Sequence, residues 1–263
     1  MRVPIRVVVQ GRRRRAAVAR GLWAAAEVAV TLGVVVLLLV VHQLWWTNRQ
    51  AREGAERKVR ALEREWGEEH EGQERAEEQP TPVEGESGGG GGDEEDRAGV
   101  ETPRATSPAR PPRWDQAYAV LRIPRLGVTA PVAQGIAKRG VLDKGYVGHY
   151  PQTAQPGEAG NFALAGHRNA HGEPFRYINR LRTGDRIEVE TRQGVFVYAV
   201  DRQLPRTTPR DTGVIAPVPR SLVKPSAGYG ERGYYLTLTT CTPEYSSAYR
   251  LVVWGKLTSM LPR

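Results

Sequence analysis

One cysteine, Cys241, stands among 263 residues. A lone thiol excludes an intramolecular disulfide and a zinc site built on four thiolates. The glycine-rich GxGxxG and GxxxxGKS/T patterns that cradle phosphates are missing, so nucleotide chemistry has no support. No self-similarity of solenoid or propeller length occurs. The net charge is +9, yet no nucleic-acid-binding motif and no basic stripe with interleaved aromatics accompanies it, so nucleic acid is not an expected partner.

What is present is unevenly spread. Residues 1–20 hold seven arginines and no acid, residues 47–113 hold 11 basic and 17 acidic side chains, and residues 114–263 hold 20 basic and 11 acidic. A basic C-terminal region favours anionic surfaces such as membrane head groups or cell-wall polymers. Between the first two regions lies LWAAAEVAVTLGVVVLLLVVHQLWW, Leu22–Trp46. As a helix it is about 37 Å long, against a hydrocarbon core of about 30 Å. Trp45 and Trp46 suit the head-group layer, and Arg12, Arg13, Arg14, Arg15 and Arg20 precede the span, which by the positive-inside rule places the N-terminus in the cytoplasm and the rest outside. A cleaved signal peptide would have a shorter apolar run and a small-residue cleavage site; WWTNRQ follows instead. The expected layout is a basic cytoplasmic tail over 1–21, a single transmembrane anchor over 22–46, a stalk over 47–113 and a catalytic domain over 114–263.

In the stalk, Thr47–Gln79 is rich in Arg, Glu and Ala, the composition of a charged, solvent-exposed helix. Its few apolar residues argue against a coiled coil. From Pro80, the Gly-, Pro- and acid-rich run to about Arg113 lacks the apolar surface to fold.

From Ala117 the pattern changes. AVLRIP, GVTAPV, NFALAG, RIEVET, VFVYAV, YYLTLTT and RLVVWGKL are short runs rich in β-branched and aromatic residues, punctuated by Gly, Pro, Asp or Asn. They predict an all-β, eight-stranded domain with short helical pieces, one of them over Glu173–Leu181. Gln193-Gly194 fits a hairpin turn.

A lone thiol is most often a small buried hydrophobe. The placement of Cys241 argues otherwise. It ends the run Tyr234–Cys241, in which Leu236 and Leu238 share one face while Tyr235, Thr237, Thr239 and Cys241 take the other. Eight residues separate it from the next strand, which opens at Arg250. Antiparallel pairing would make Cys241 and Arg250 neighbours, and the guanidinium could stabilise a thiolate or an oxyanion. A histidine is needed to move protons. His42 and His70 fall in the span and the stalk; His149, His167 and His171 remain, and the residues alone do not separate them.

TLTTC (Thr237–Cys241), the arginine nine residues later in YRLVVWGKL, GHR (Gly166–Arg168) after an apolar strand, and RIPRLGVTAPVAQGI (Arg122–Ile136) together resemble the sortase family, over about residues 117–258. Acidic stalk, high arginine content and TCTPEY look most like class E. The resemblance implies an eight-stranded sortase β-barrel and selects His167 as the catalytic histidine beside Cys241 and Arg250. It implies acyl transfer: the thiolate cleaves the Thr–Gly bond of an LPxTG- or LAxTG-like sorting signal on a secreted protein, and a lipid II-like peptidoglycan-precursor amine resolves the thioester. Thr240, beside the nucleophile, is expected to help position substrate. No cofactor and no metal is implied. Papain-like peptidases place Cys before His, the reverse of the order here, and L,D-transpeptidases carry a His-Gly-Cys arrangement that His171-Gly172 does not complete. The non-enzyme alternative is an inactive anchored barrel that binds peptide or cell-wall polymer.

Overall fold

A computed structural model describes the backbone over residues 10–77 and 112–263, with side chains over 18–69 and 112–263. The Gly/Pro-rich part of the stalk lies outside the described residues up to residue 111. One long helix, α1 (Gln10–Glu77), precedes eight strands: β1 (Ala117–Ile123), β2 (Val128–Gln134), β3 (Val147–His149), β4 (Gly160–Ala165), β5 (Arg186–Thr191), β6 (Gly194–Thr207), β7 (Tyr234–Thr242) and β8 (Tyr249–Pro262). The chain divides into two compact units, up to Gln50 and from Ala51.

The first unit is helical. Its apolar side chains from Leu22 to Trp46 are exposed on every side, and mean hydropathy reaches 2.6 over an 18-residue window, long and apolar enough to cross a membrane.

In the second unit the strands close a barrel in the order β1-β2-β3-β4-β7-β8-β6-β5. Two neighbouring pairs, β2/β3 and β4/β7, are parallel; the rest are antiparallel. Alternation places Leu121, Ile123, Val132, Phe162, Leu164, Ile187, Val189, Leu236, Leu238, Leu251 and Val253 in the interior. The hairpin between β5 and β6 turns on Arg192 and Gln193, one residue before the expected pair, because Gly194 already opposes Thr191. Within the expected helical piece Glu173–Leu181, only Ile178–Arg180 forms a 3-10 turn.

The face of β7 opposite its leucines is buried too. Tyr235 stacks on Tyr229 and joins Val252, Trp254, Leu204 and Val214 in a second cluster. The connection between β6 and β7 covers it. Trp254 Nε1–H and the Thr237 hydroxyl donate to the Val214 carbonyl, and Asn161 Nδ2–H donates to Ala216. Buried Asp211 organises this connection by accepting from Thr207, Ser221 and the Leu222 amide.

The helix beyond Gln50 is not solvated all round, as its composition suggested. Ala51, Ala55, Val59, Leu62 and Trp66 are buried; Val59, Leu62 and Trp66 pack with Ala117, Val120, Ala133 and Val141 on the outside of the barrel. Their spacing of four, four, three and four residues makes one stripe. Few apolar residues suffice when all share a face, and each fully buried Val or Leu contributes ~1.5–3 kcal/mol. Arg122 pairs with Glu63 and with Glu190 (3.1 Å), and Arg263 lies 5.2 Å from the Trp66 ring centroid.

Candidate active site

Three neighbouring strands bring the site together. β7 and β8 pair with Cys241 opposite Arg250, so both side chains project from the same face. β4 runs parallel to β7 with Ala165 opposite Thr239. Past the end of β4, Gly166 bonds to Thr240 and Arg168 bonds to the Cys241 carbonyl, which sets His167 beside the end of β7. The crossing is held by the Gly166 amide, which donates to the Thr239 carbonyl (3.1 Å), and by the Thr240 hydroxyl, which donates to the Gly166 carbonyl (2.8 Å). A Cβ at Gly166 would lie 2.6 Å from the buried Phe175 ring, so this close approach needs glycine.

Cys241 is a free, half-buried thiol. The Arg250 guanidinium donates from Nη1 to the carbonyls of Ser247 and Tyr249, both at 2.9 Å. The β7–β8 connection thus aims the guanidinium, and the peptide bond before Pro243 in it is cis. Thr240 is buried and its hydroxyl is committed to Gly166.

The structure separates the three histidines. His149 has no exposed surface. Its Nδ1 meets Tyr118 Oη and Gln134 Oε1, both at 2.8 Å, and its Nε2 meets the Ala154 carbonyl (3.1 Å) and Thr153 Oγ1 (2.9 Å). Burial lowers its pKa to about 4, so it is a neutral, fully engaged core group. His167 is partly open, and its Nε2 lies 2.8 Å from Asp143 Oδ1. A carboxylate only accepts, so Nε2 carries the proton and Nδ1 stays available. His171 lies in the following loop, with its ring centroid 5.3 Å from that of His167 and its Nε2 3.7 Å from the same Asp143 oxygen.

Two further groups escaped sequence reasoning. Asp143, in a 3-10 turn (Leu142–Lys144), belongs to no motif; only the fold carries it to His167. Arg168 is buried and donates from Nη1 to the Cys241 carbonyl (3.2 Å) and Thr242 Oγ1 (2.9 Å), holding the end of β7. GHR contained it, but nothing in the sequence set Arg168 against the end of β7. A chain of charges also joins the surrounding segments. Arg52 of α1 reaches Glu173 (3.1 Å), Glu173 holds Arg176 (2.6 Å), and Arg176 reaches Glu244 (2.9 Å) and Tyr245 Oη (3.1 Å) just beyond Cys241.

A closed eight-stranded barrel with a thiol, a guanidinium and an imidazole at one strand end is the architecture of a cysteine transpeptidase. The sortase-domain family model matches residues 121–258. Sortase SrtE1 of Streptomyces coelicolor is 41% identical over 245 residues, or 91% of this chain, which spans 58% of that relative's length. Sortase SrtE2 of the same organism is 30% identical, with 94% of this chain aligned to 87% of the relative. Among solved structures, sortase E1 of S. coelicolor with a tripeptide in its active site matches with a TM-score of 0.54 and 51% identity, over 57% of this chain and 92% of that one. Sortase E of Streptomyces avermitilis matches with a TM-score of 0.50 and 41% identity, over 57% and 93%. The chain belongs to the sortase family, whose members are cysteine transpeptidases.

Proposed function

We propose that this chain cleaves the Thr–Gly bond of an LPxTG- or LAxTG-like sorting signal on secreted proteins and transfers the acyl group to a peptidoglycan-precursor amine. The observation that carries this is the Cys241–Arg250 cross-strand pair with His167 two residues past the end of the adjoining parallel strand. The Cys241 thiolate attacks the threonine carbonyl carbon, and the oxygen takes the negative charge. Arg250, aimed by its own loop carbonyls, supplies the N–H groups that stabilise this oxyanion. When the C–N bond breaks, the nitrogen of His167 not committed to Asp143 delivers a proton to the departing glycine amine. The acceptor amine then attacks the thioester, the C–S bond breaks and His167 recovers a proton. Thr240 contributes through its backbone and through the hydroxyl that fixes Gly166 ahead of His167.

We place the apolar half of α1 in the cell membrane, with the basic tail of 1–21 in the cytoplasm and the catalytic domain outside, where both substrates reside. The test is mass spectrometry of products from LPxTG and LAxTG peptides incubated with amine acceptors. Cleavage between Thr and Gly, with the amine joined to Thr, is expected from the wild type. Cys241→Ala should lower the rate about 10⁴-fold or more, as loss of a nucleophile does elsewhere. Undiminished cleavage by that variant would sink the assignment.

A further inference from the structure

Among the described residues, one group of side chains has the chemistry and closeness of a metal site: Asp143, His167 and His171, each half-buried. We propose that these three bind a divalent transition-metal ion of the zinc class, and that the bound ion arrests catalysis. Binding stands on the geometry alone; arrest rests on the role proposed above for His167.

Four-coordinate zinc binds imidazole nitrogen and carboxylate oxygen at about 2.0–2.1 Å, which sets neighbouring donors roughly 3.3 Å apart in a tetrahedron. Asp143 Oδ1 lies 2.8 Å from His167 Nε2 and 3.7 Å from His171 Nε2, either side of that value. All three donor atoms fall within 4.8 Å of one another. Small side-chain shifts would therefore admit the ion. Three protein donors leave one position for water, the arrangement of an open zinc site. Two imidazoles select zinc, cobalt, nickel or copper over calcium or magnesium, which favour oxygen ligands.

The backbone holds this cluster in place. His171 adopts a left-handed φ of 53°, uncommon for a residue with a side chain. Arg52 of α1 donates to the carbonyl of the next residue, Gly172 (3.2 Å). The Asp143 turn ends at Gly145 (φ +80°), where a Cβ would lie 2.9 Å from the Ala51 carbonyl and 3.3 Å from that of His171. The helix, the turn and the loop thus meet at one point. Nearby cations are directed elsewhere: Lys144 lies 5.9 Å from the Tyr146 ring centroid, Arg52 pairs with Glu173, and Arg168 donates to Cys241 and Thr242.

A metal on Nε2 of His167 replaces the proton directed at Asp143 and confines the ring's one remaining proton to Nδ1, leaving no lone pair to accept a second. The ring then no longer cycles between imidazole and imidazolium, and the leaving amine loses its acid.

The test uses the full chain in detergent micelles, with Co²⁺ as the spectroscopic probe and Zn²⁺ as the inhibitor. One Co²⁺ should bind per chain with the ligand-field spectrum of a four-coordinate site, and Zn²⁺ should displace it. Peptide cleavage should fall as zinc is added and return with a chelator. His171→Ala should cleave at the wild-type rate without metal, while its Co²⁺ affinity and zinc sensitivity drop about 10-fold or more, at least the loss seen when a mere supporting group of a metal site is removed. Identical Co²⁺ titrations for wild type, His171→Ala and Asp143→Asn would overturn the site. So would zinc inhibition that persists undiminished in His171→Ala, which would point to zinc on the Cys241 thiolate. Full cleavage with the ion bound would overturn arrest, and with it the role of His167, while leaving the metal site standing.

Discussion

His149 ends β3 and His167 lies two residues past the neighbouring β4, and their surroundings are opposite. His149 closes β3 with both ring nitrogens engaged and no exposed surface; burial holds it neutral, with a pKa of about 4. His167 follows β4 with one nitrogen against a carboxylate and the other available. The comparison teaches that an imidazole becomes chemistry only where its second nitrogen is left open. A buried polar group satisfied on all sides stabilises and specifies a fold; it has no lone pair or proton to lend.

The sharpest break between the two should come from removing each ring. His167→Ala should lower kcat/KM by roughly 10³-fold or more with little change in Tm, since general acid–base groups contribute about 10²–10⁴. Thermal melts and peptide kinetics on the same preparation check it; an active His167→Ala would dissolve the distinction.

His149→Leu should do the converse. It orphans the Tyr118 hydroxyl and the Gln134 side chain, at a cost of about 2–4 kcal/mol in stability, while cleavage persists at temperatures where the variant stays folded. pH sharpens the same contrast. The folded-state pKa of His149 is depressed to about 4 from an ordinary 6.5. Its contribution is therefore full above pH ~6.5 and is lost as the pH falls toward ~4, because the unfolded chain takes up the proton first. The loss amounts to about 3 kcal/mol over that window. Denaturant melts of wild type and His149→Leu at a series of pH values should differ by this slope; equal slopes would contradict the burial argument.

Arg250→Lys should cost about 10²-fold in kcat, the scale of one lost oxyanion donor, because an ammonium cannot reproduce the planar fork. The smallest effect belongs to Asp143→Asn. It keeps the shape beside His167 but loses the charge, and should slow cleavage roughly 10-fold, well short of the ~10⁴ of a fully buried triad aspartate, because the pair is partly open to solvent. An Asp143→Asn enzyme at the wild-type rate would reduce the pair to a surface contact.

Helix α1 carries a related lesson. Before Gln50 its apolar residues are dense and exposed; after Ala51 they are sparse and buried. Counting apolar residues identified the first half and misjudged the second, where spacing decides. Similarly, the β7 face opposite Leu236 and Leu238 turned out covered, because the β6–β7 connection folds over Tyr235 and Trp254. Alternation shows which residues share a face but not what lies above it.

By itself the sequence determined the strand ends that meet across a short connection. Period-two alternation and an eight-residue loop put Cys241 opposite Arg250, a local antiparallel relation readable from spacing. The membrane-length apolar run is equally local. Only the tertiary structure shows why His167, which the family resemblance had picked out, lies near them, for β4 and β7 pair in parallel across some seventy intervening residues, and a parallel crossover leaves no mark in spacing. It likewise brought Asp143, Arg168 and His171 to the same place. Each is an ordinary surface-type residue until long-range pairing, paid for by the closed barrel as a whole, sets its neighbours.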